Sequence, residues 1–501
     1  MRRWVMCWIK RKAGLKINVE FIMINHMKMK LNRPFAALVV ALIGFVGFTS
    51  CSDDFPSNVE SDKFADLKAI RIVNAGASGT EVVEGTIDEN KKTISFPRLD
   101  TLTNFAELKF EVETSDGSHL EKDVYNVPYA SGDEKKEIFL KILNEPRFKE
   151  YMAVIRFKVP VYGADFSKPA VFDYSSNPAG NPVYAGFGGQ ATRGTGFDGK
   201  HVLIVSRGAT SIHLLAVEDL KANRIAPINL DKTGVTGGTF THNMGAQING
   251  HTYVANLSTS AASPLKIYHW ATPTSQPEVI ANINVGSIAG SGTRHGDNFS
   301  MNLDADGNGY AFFISMGVQV MRVKIENYNK VTETISFDTR TTYGQWSAYN
   351  RIVGTDNYLV TGHDKPIAVM NNAGGVAYTM AAGSIPVHSG DPRVINFNGK
   401  RYLLVVTVPR AAGTAPDGVL RLYDISSGAN IVDALTAFEQ GDKKEVYSFT
   451  ISADPNSAPG TQSGYHVVKD ADGKDQKLMV YGATTDAGFT IVEFPVNVAV
   501  D

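Results

Sequence analysis

Five short polar segments between residues 190 and 393 carry residue types that could hold or transform a ligand. They are Gln190-Ala191-Thr192-Arg193, Thr241-His242-Asn243, Arg294-His295-Gly296-Asp297-Asn298, Gln345-Trp346-Ser347-Ala348-Tyr349 and His388-Ser389-Gly390-Asp391-Pro392-Arg393. If these segments meet, Arg193, His242, Asn243, Arg294, His295, Asp297, Trp346, Tyr349, His388, Asp391 and Arg393 put planar hydrogen-bonding groups beside aromatic faces. That mixture suits a neutral polyhydroxylated ligand such as a sugar. Trp346 or Tyr349 would stack on a sugar face while the polar groups bond its hydroxyls. The same residues allow a second reading, in which His242, His295 and His388 converge on a divalent metal. They could also work as acid and base beside Asp297 or Asp391. A third reading is a wet channel whose polar groups only satisfy one another. The ligand pocket is preferred, with no metal and no cofactor assigned.

Other motifs fail on context. Asp304, Asp306 and Asn308 alternate as calcium ligands do, but the twelfth position of such a loop is Ser315 rather than Glu. Asp470 and Asp472 are followed by Lys474, a cation at a ligand position. Both stretches read as tight hairpin turns. The glycines at 186, 188 and 189 and at 234, 237 and 238 open no helix, so no phosphate cradle is implied. There is no Gly-x-Ser-x-Gly elbow. Among many carboxylates, Asp297 and Asp391 are the candidates for a glycosidase pair.

The elements that must position the five segments recur. Each precedes an apolar run, namely His201 to Ser206, His251 to Asn256, Gly309 to Ser315, Asn357 to Gly362 or Lys400 to Val406, and a sixth such run is Lys477 to Gly482. Most of these runs follow a turn such as Asp198-Gly199, Asn249-Gly250, Asn398-Gly399 or Asp472-Gly473. A repeat of roughly 40–60 residues with several short strands is that of β-propeller blades. Blades are expected at about 187–232, 240–285, 294–338, 345–382, 389–440 and 445–496. The last lacks an outer strand, and Ala170 to Tyr174 is placed there to close the ring. A pair of β-sandwiches is the runner-up.

Residues 63–162 show four alternating apolar and polar runs, for example Ala69 to Val73 and Ala153 to Val159, the period of a half-buried strand. They predict a small immunoglobulin-like β-sandwich. Pro160 to Pro169 marks the boundary to the propeller, residues 166–501. The fold class is therefore all-β, an N-terminal β-sandwich followed by a β-propeller of about six blades.

The start of the chain reads as an address. Lys28, Lys30 and Arg33 precede an apolar stretch from Phe35 to Phe48, too short to span a membrane. Residues 1–50 read as an over-long start, with Met27 or Met29 the natural first residue, plus a signal peptide. The ending Phe48-Thr49-Ser50-Cys51 resembles a bacterial lipoprotein signal, in which Cys51 becomes the lipidated first residue. Residues 51–62 form a tether. Cys7 and Cys51 are the only cysteines, so the mature chain has no thiol chemistry and no disulfide. Nine of the 49 basic and one of the 51 acidic residues fall in residues 1–50. The rest keeps 40 basic against 50 acidic, a net charge of −10. Such a body disfavours nucleic acid as a partner.

Signal, acidic Ser52-Asp53-Asp54, sandwich and propeller together resemble an uncharacterised family of Bacteroidetes surface lipoproteins. The resemblance implies an outer-membrane, lipid-anchored protein facing the cell exterior, associated with glycan uptake of the SusC/SusD type. It implies polysaccharide or a surface protein as partner, and membrane contact through the lipid anchor alone. The expected function is non-catalytic glycan binding. The alternatives are an extracellular glycoside hydrolase or lyase using the His/Asp/Arg cluster, and a structural scaffold.

Overall fold

The computed structural model describes residues 63–130, 133–158, 161–187, 192–208, 211–260, 262–408, 418–451 and 460–498. The signal segment, Cys51 and the tether lie outside the described residues. The protein is all-β and propeller-like, built of many small sheets.

Residues 67–156 form two sheets. One orders the strands Glu81–Glu84, Leu67–Ala75, Leu108–Thr114 and Val124–Tyr125. The other orders Thr86–Asp88, Thr93–Ser95, Arg147–Arg156, Lys135–Asn144 and His119–Leu120. Alternation puts one face of each sheet into a shared core. Along Arg147–Arg156, Tyr151, Ala153 and Ile155 are buried while their neighbours are not. Phe157 closes this core against Phe105 and Tyr129, with ring centroids 4.8 and 4.6 Å away.

The boundary segment is docked on the second unit. Gly163 N donates to the Asn398 carbonyl at 2.8 Å, and Phe166 packs edge-on against Tyr402.

From residue 170 onward, the described residues form six antiparallel four-stranded sheets. In chain order their first strands are Thr192–Phe197, Phe240–Ile248, Ser300–Leu303, Ser347–Arg351, Ser389–Phe397 and Thr461–Lys469. These first strands touch one another in succession, and the last touches the first, so the sheets form a closed ring. The apolar runs recognised in the sequence are the second strands: His201–Ser206, His251–Leu257, Gly309–Ile314, Tyr358–Gly362, Lys400–Thr407 and Asp475–Thr484. They are apolar on both faces because each sheet is covered on both sides by its neighbours.

The ring closes through the strand Ala170–Asp173. It pairs antiparallel with Gly488–Pro495, in the register Val171 to Val492 and Phe172 to Ile491. One boundary differs from expectation. Glu445–Ile451 is the outer strand of the fifth sheet, not the start of the sixth. The helix Ile431–Gln440, inserted before it, stretches the fifth repeat. Its side chain cap is Asn430, which accepts from Asp433 N, and it buries Ile431, Leu435 and Phe438.

The inner strands crowd at the axis. A Cβ on Gly194 would come within 2.6 Å of the Met244 Cα, so only glycine lets the first and second sheets approach this closely.

Candidate functional site

In an antiparallel hairpin the start of one strand lies beside the end of the next. The segments before the first strands and the turns after the second strands therefore meet at one end of the ring. There they line a cavity of about 160 Å³ to which all six sheets contribute. Its functional side chains are Arg193 and Arg207, Asn243, Arg294 and Asp297, Trp346, Asp391 and Gln462.

Three guanidinium groups share this space. Arg294 is forked onto Asp297, with Nη2 donating to Oδ1 at 2.9 Å, and this raises it above the ordinary arginine value. Arg207 is held differently. Its guanidinium lies 3.8 Å from the centroid of the Phe240 ring, and its Nε donates to Asn243 Oδ1 at 2.6 Å. Asn243 is fixed in turn by donating to the Gly296 carbonyl at 2.6 Å. Among the described residues no carboxylate pairs with Arg207 within 4.0 Å. Burial, then the nearby Arg193 and Arg294 charges, push Arg207 down to about 10.

Asp391 closes the floor. Its carboxylate accepts from Asn350 Nδ2 at 2.7 Å and from the Ser463 hydroxyl at 3.0 Å. Asp391, Thr195 and Gln462 also line a wider cavity of about 480 Å³ on the far side, so they form the waist of the channel. Trp346 stands half-buried in the wall, edge-on to His363 with centroids 5.9 Å apart.

Of the residues expected to converge, Arg193, Asn243, Arg294, Asp297, Trp346 and Asp391 line this cavity. The others do not. His242 turns away, its Nε2 donating to the Ser206 carbonyl at 2.7 Å. His295 is fully buried behind the wall, its backbone paired both ways with Ser258 at 2.9 Å. Burial lowers both histidines below their ordinary value. Tyr349 is buried between sheets, stacked on Phe312 at 4.2 Å. Arg393 lines the wider cavity, where its Nε donates to the Ser463 carbonyl at 2.9 Å. His388 sits on the flank between the fourth and fifth sheets, beside Asp364. The three-histidine centre is thus not formed, because His242 is bound to the Ser206 carbonyl, His295 is buried behind the wall and His388 stands beside Asp364.

The two acidic turns are hairpin turns. Asp304 Oδ1 accepts from the backbone of Asp306 and Asn308, and Asp470 Oδ1 from Asp472 and Lys474. Sequence reasoning missed Arg207, His363 and Gln462. The first two follow second strands, in the turns Arg207-Gly208 and His363-Asp364, where a polar pair ends an apolar run.

A crystal structure of a DUF4623 family protein from Bacteroides eggerthii DSM 20697 is similar at 41% identity and a TM-score of 0.73, covering 86% of this chain and 98% of that one. The WD40 β-propeller domain of Doa1 is matched at 10% identity and a TM-score of 0.33, over 73% of this chain and 90% of that one. A GH43_1 enzyme from Xanthomonas citri, complexed with xylose, is matched at 13% identity and a TM-score of 0.29, over 45% and 89%. No curated protein matches. The model of the family DUF4623, described as a domain of unknown function, matches residues 53–497, and the chain belongs to that family.

Proposed function

We propose that this protein is a non-catalytic, lipid-anchored binding protein of the outer cell surface. Its ring is a six-bladed propeller, and its N-terminal sheets are an immunoglobulin-like sandwich that acts as a spacer. The ligand is a glycan, and the cavity at the narrow end of the channel takes one ring-sized group carrying an acidic substituent.

One observation carries this reading: Arg207 shares a cavity with Trp346 and has no carboxylate partner among the described residues. A half-buried guanidinium held by an aromatic ring and a neutral amide is ready for a ligand anion. Trp346 offers a face on which a sugar ring stacks, and Asn243, Gln462 and Asp391 offer bonds to hydroxyls. The neutral ligand expected from sequence gives way to an acidic one because Arg207 was not counted there. Asp297 and Asp391 are both engaged by several donors, which suits binding groups. A general acid would instead need a carboxyl kept protonated in apolar surroundings.

The test is a panel of neutral and acidic polysaccharides offered to the full chain. Acidic glycans should bind, without release of oligosaccharide, and Arg207→Ala should weaken them about tenfold or more. Trp346→Ala should weaken binding of all of them. Released product would instead establish the hydrolase or lyase. Silence toward every glycan, with a protein partner of the SusC/SusD type recovered, would establish the scaffold. Loss of fatty-acid labelling in Cys51→Ala checks the anchor.

A further inference from the structure

We propose that His363, Asp364 and His388 form a binding site for a divalent transition-metal ion of the zinc type, at the seam between the fourth and fifth sheets. His363 and Asp364 follow the strand Tyr358–Gly362, and His388 directly precedes Ser389–Phe397. An ion there would join two neighbouring sheets directly.

The three side chains can each offer one ligand atom, all within 4.8 Å of one another. Asp364 Oδ1 lies 3.1 Å from His388 Nδ1 and 3.4 Å from His363 Nδ1. Tetrahedral zinc with bonds of about 2.0–2.2 Å separates its nitrogen and oxygen ligands by roughly 3.3–3.6 Å. Little movement is therefore needed.

A second observation points to a ligand independently. His363 is 6% exposed, and its Nε2 donates to the Val408 carbonyl at 2.9 Å. That bond fixes the tautomer and leaves the lone pair on Nδ1, which is buried and has no hydrogen-bond partner. A backbone carbonyl behind one imidazole nitrogen is the usual support of a metal-bound histidine. His388 Nδ1 also stands 3.3 Å from the His363 carbonyl, a contact that metal binding would replace. Its backbone is held at φ 67°, where a residue with a Cβ stays only if its surroundings keep it there. Asp364 is mostly exposed, so water can complete the shell. Two nitrogens and one carboxylate oxygen select zinc, nickel or copper over calcium or magnesium.

The site lies outside the glycan cavity, although His363 reaches both. Its ion would be structural, setting the wall on which Trp346 rests.

The experiment titrates zinc chloride into the chelator-treated full chain, by calorimetry and by thermal unfolding. One equivalent should bind and raise the melting temperature. Asp364→Asn, which is exposed and keeps its shape, should weaken binding at least about tenfold, as should His388→Ala. His363→Ala should abolish it. No binding by the native chain would overturn the proposal. So would zinc affinity unchanged in both Asp364→Asn and His388→Ala, which would place the ion elsewhere.

Discussion

The N-terminal sheets and the ring treat charge in opposite ways. In the first unit ion pairs run over the outside, as between Arg71 and Glu111 at 2.7 Å, and the core is an apolar cluster. In the ring, Arg207, Arg294, Asp297, Asp391 and Arg393 point toward the axis, and Arg322 is buried against Glu333. Geometry accounts for the difference. Two stacked sheets about 10 Å apart fill their gap with apolar side chains. Sheets arranged around an axis leave a second interior that the inner strands line but do not fill. Polar groups are retained there, and Arg207 makes no direct pair with a carboxylate among the described residues.

The largest effects should separate the two units. Phe157→Ala should cost about 3–5 kcal/mol in the N-terminal unit and leave glycan affinity unchanged. Phe489→Ala, buried beside Tyr174 at 5.2 Å, should cost as much in the ring. Denaturant titrations that resolve two transitions check this. A single transition moved equally by both substitutions would make the chain one cooperative body.

Acid should next attack the ring before the sheets. His269 is 3% exposed, and burial first, then the His251 charge, lower it to about 4. His242, His295 and His466 are lowered in the same direction. A depressed histidine contributes stability that is complete above its unfolded value of about 6.5 and is lost as pH falls toward the folded value. His269 alone accounts for on the order of 3 kcal/mol between pH 6.5 and 4. In the N-terminal unit, Glu89 is held down to about 2 by Lys149, Lys92 and Tyr151 despite burial. Its contribution disappears only below about pH 4.5. Melting curves at pH 7, 5 and 3 should show the ring failing first.

Smaller effects test the axis itself. Arg207→Ala should weaken an acidic glycan, and added salt should weaken native binding in the same direction. Tyr481→Phe removes a buried hydroxyl that meets Thr195 Oγ1 at 2.6 Å near the waist, and should cost about 1 kcal/mol. Arg71→Ala, on the outer surface, should leave the melting temperature where it was.

Much of the frame was legible in the chain. Runs such as His201 to Ser206 are apolar on both faces, and Ala170 to Asp173 is a strand ahead of the first repeat that supplies the one the last repeat lacks. The fifth and sixth repeats were divided wrongly because the helix Ile431–Gln440 displaces the fifth sheet's outer strand by about one strand's length. The site was half legible. Arg193, Asn243, Asp297 and Trp346 precede or begin first strands and reach the axis. His242 is adjacent to Asn243, but the strand is irregular between Phe240 and Met244, and His242 is bound to the Ser206 carbonyl outside the cavity. Arg207 and His363 were hidden because pairing between strands, not sequence order, brings the ends of second strands to the same mouth.

The strand Ala170–Asp173 also sets the order in which the fold can be completed. Its partner, Gly488–Pro495, lies more than 300 residues further along the chain. Until that partner is in place the strand presents an unpaired edge. At only four residues the strand is a poor template for stray pairing, and its neighbour Phe166 finds its own berth against Tyr402 only once the fifth sheet has been made.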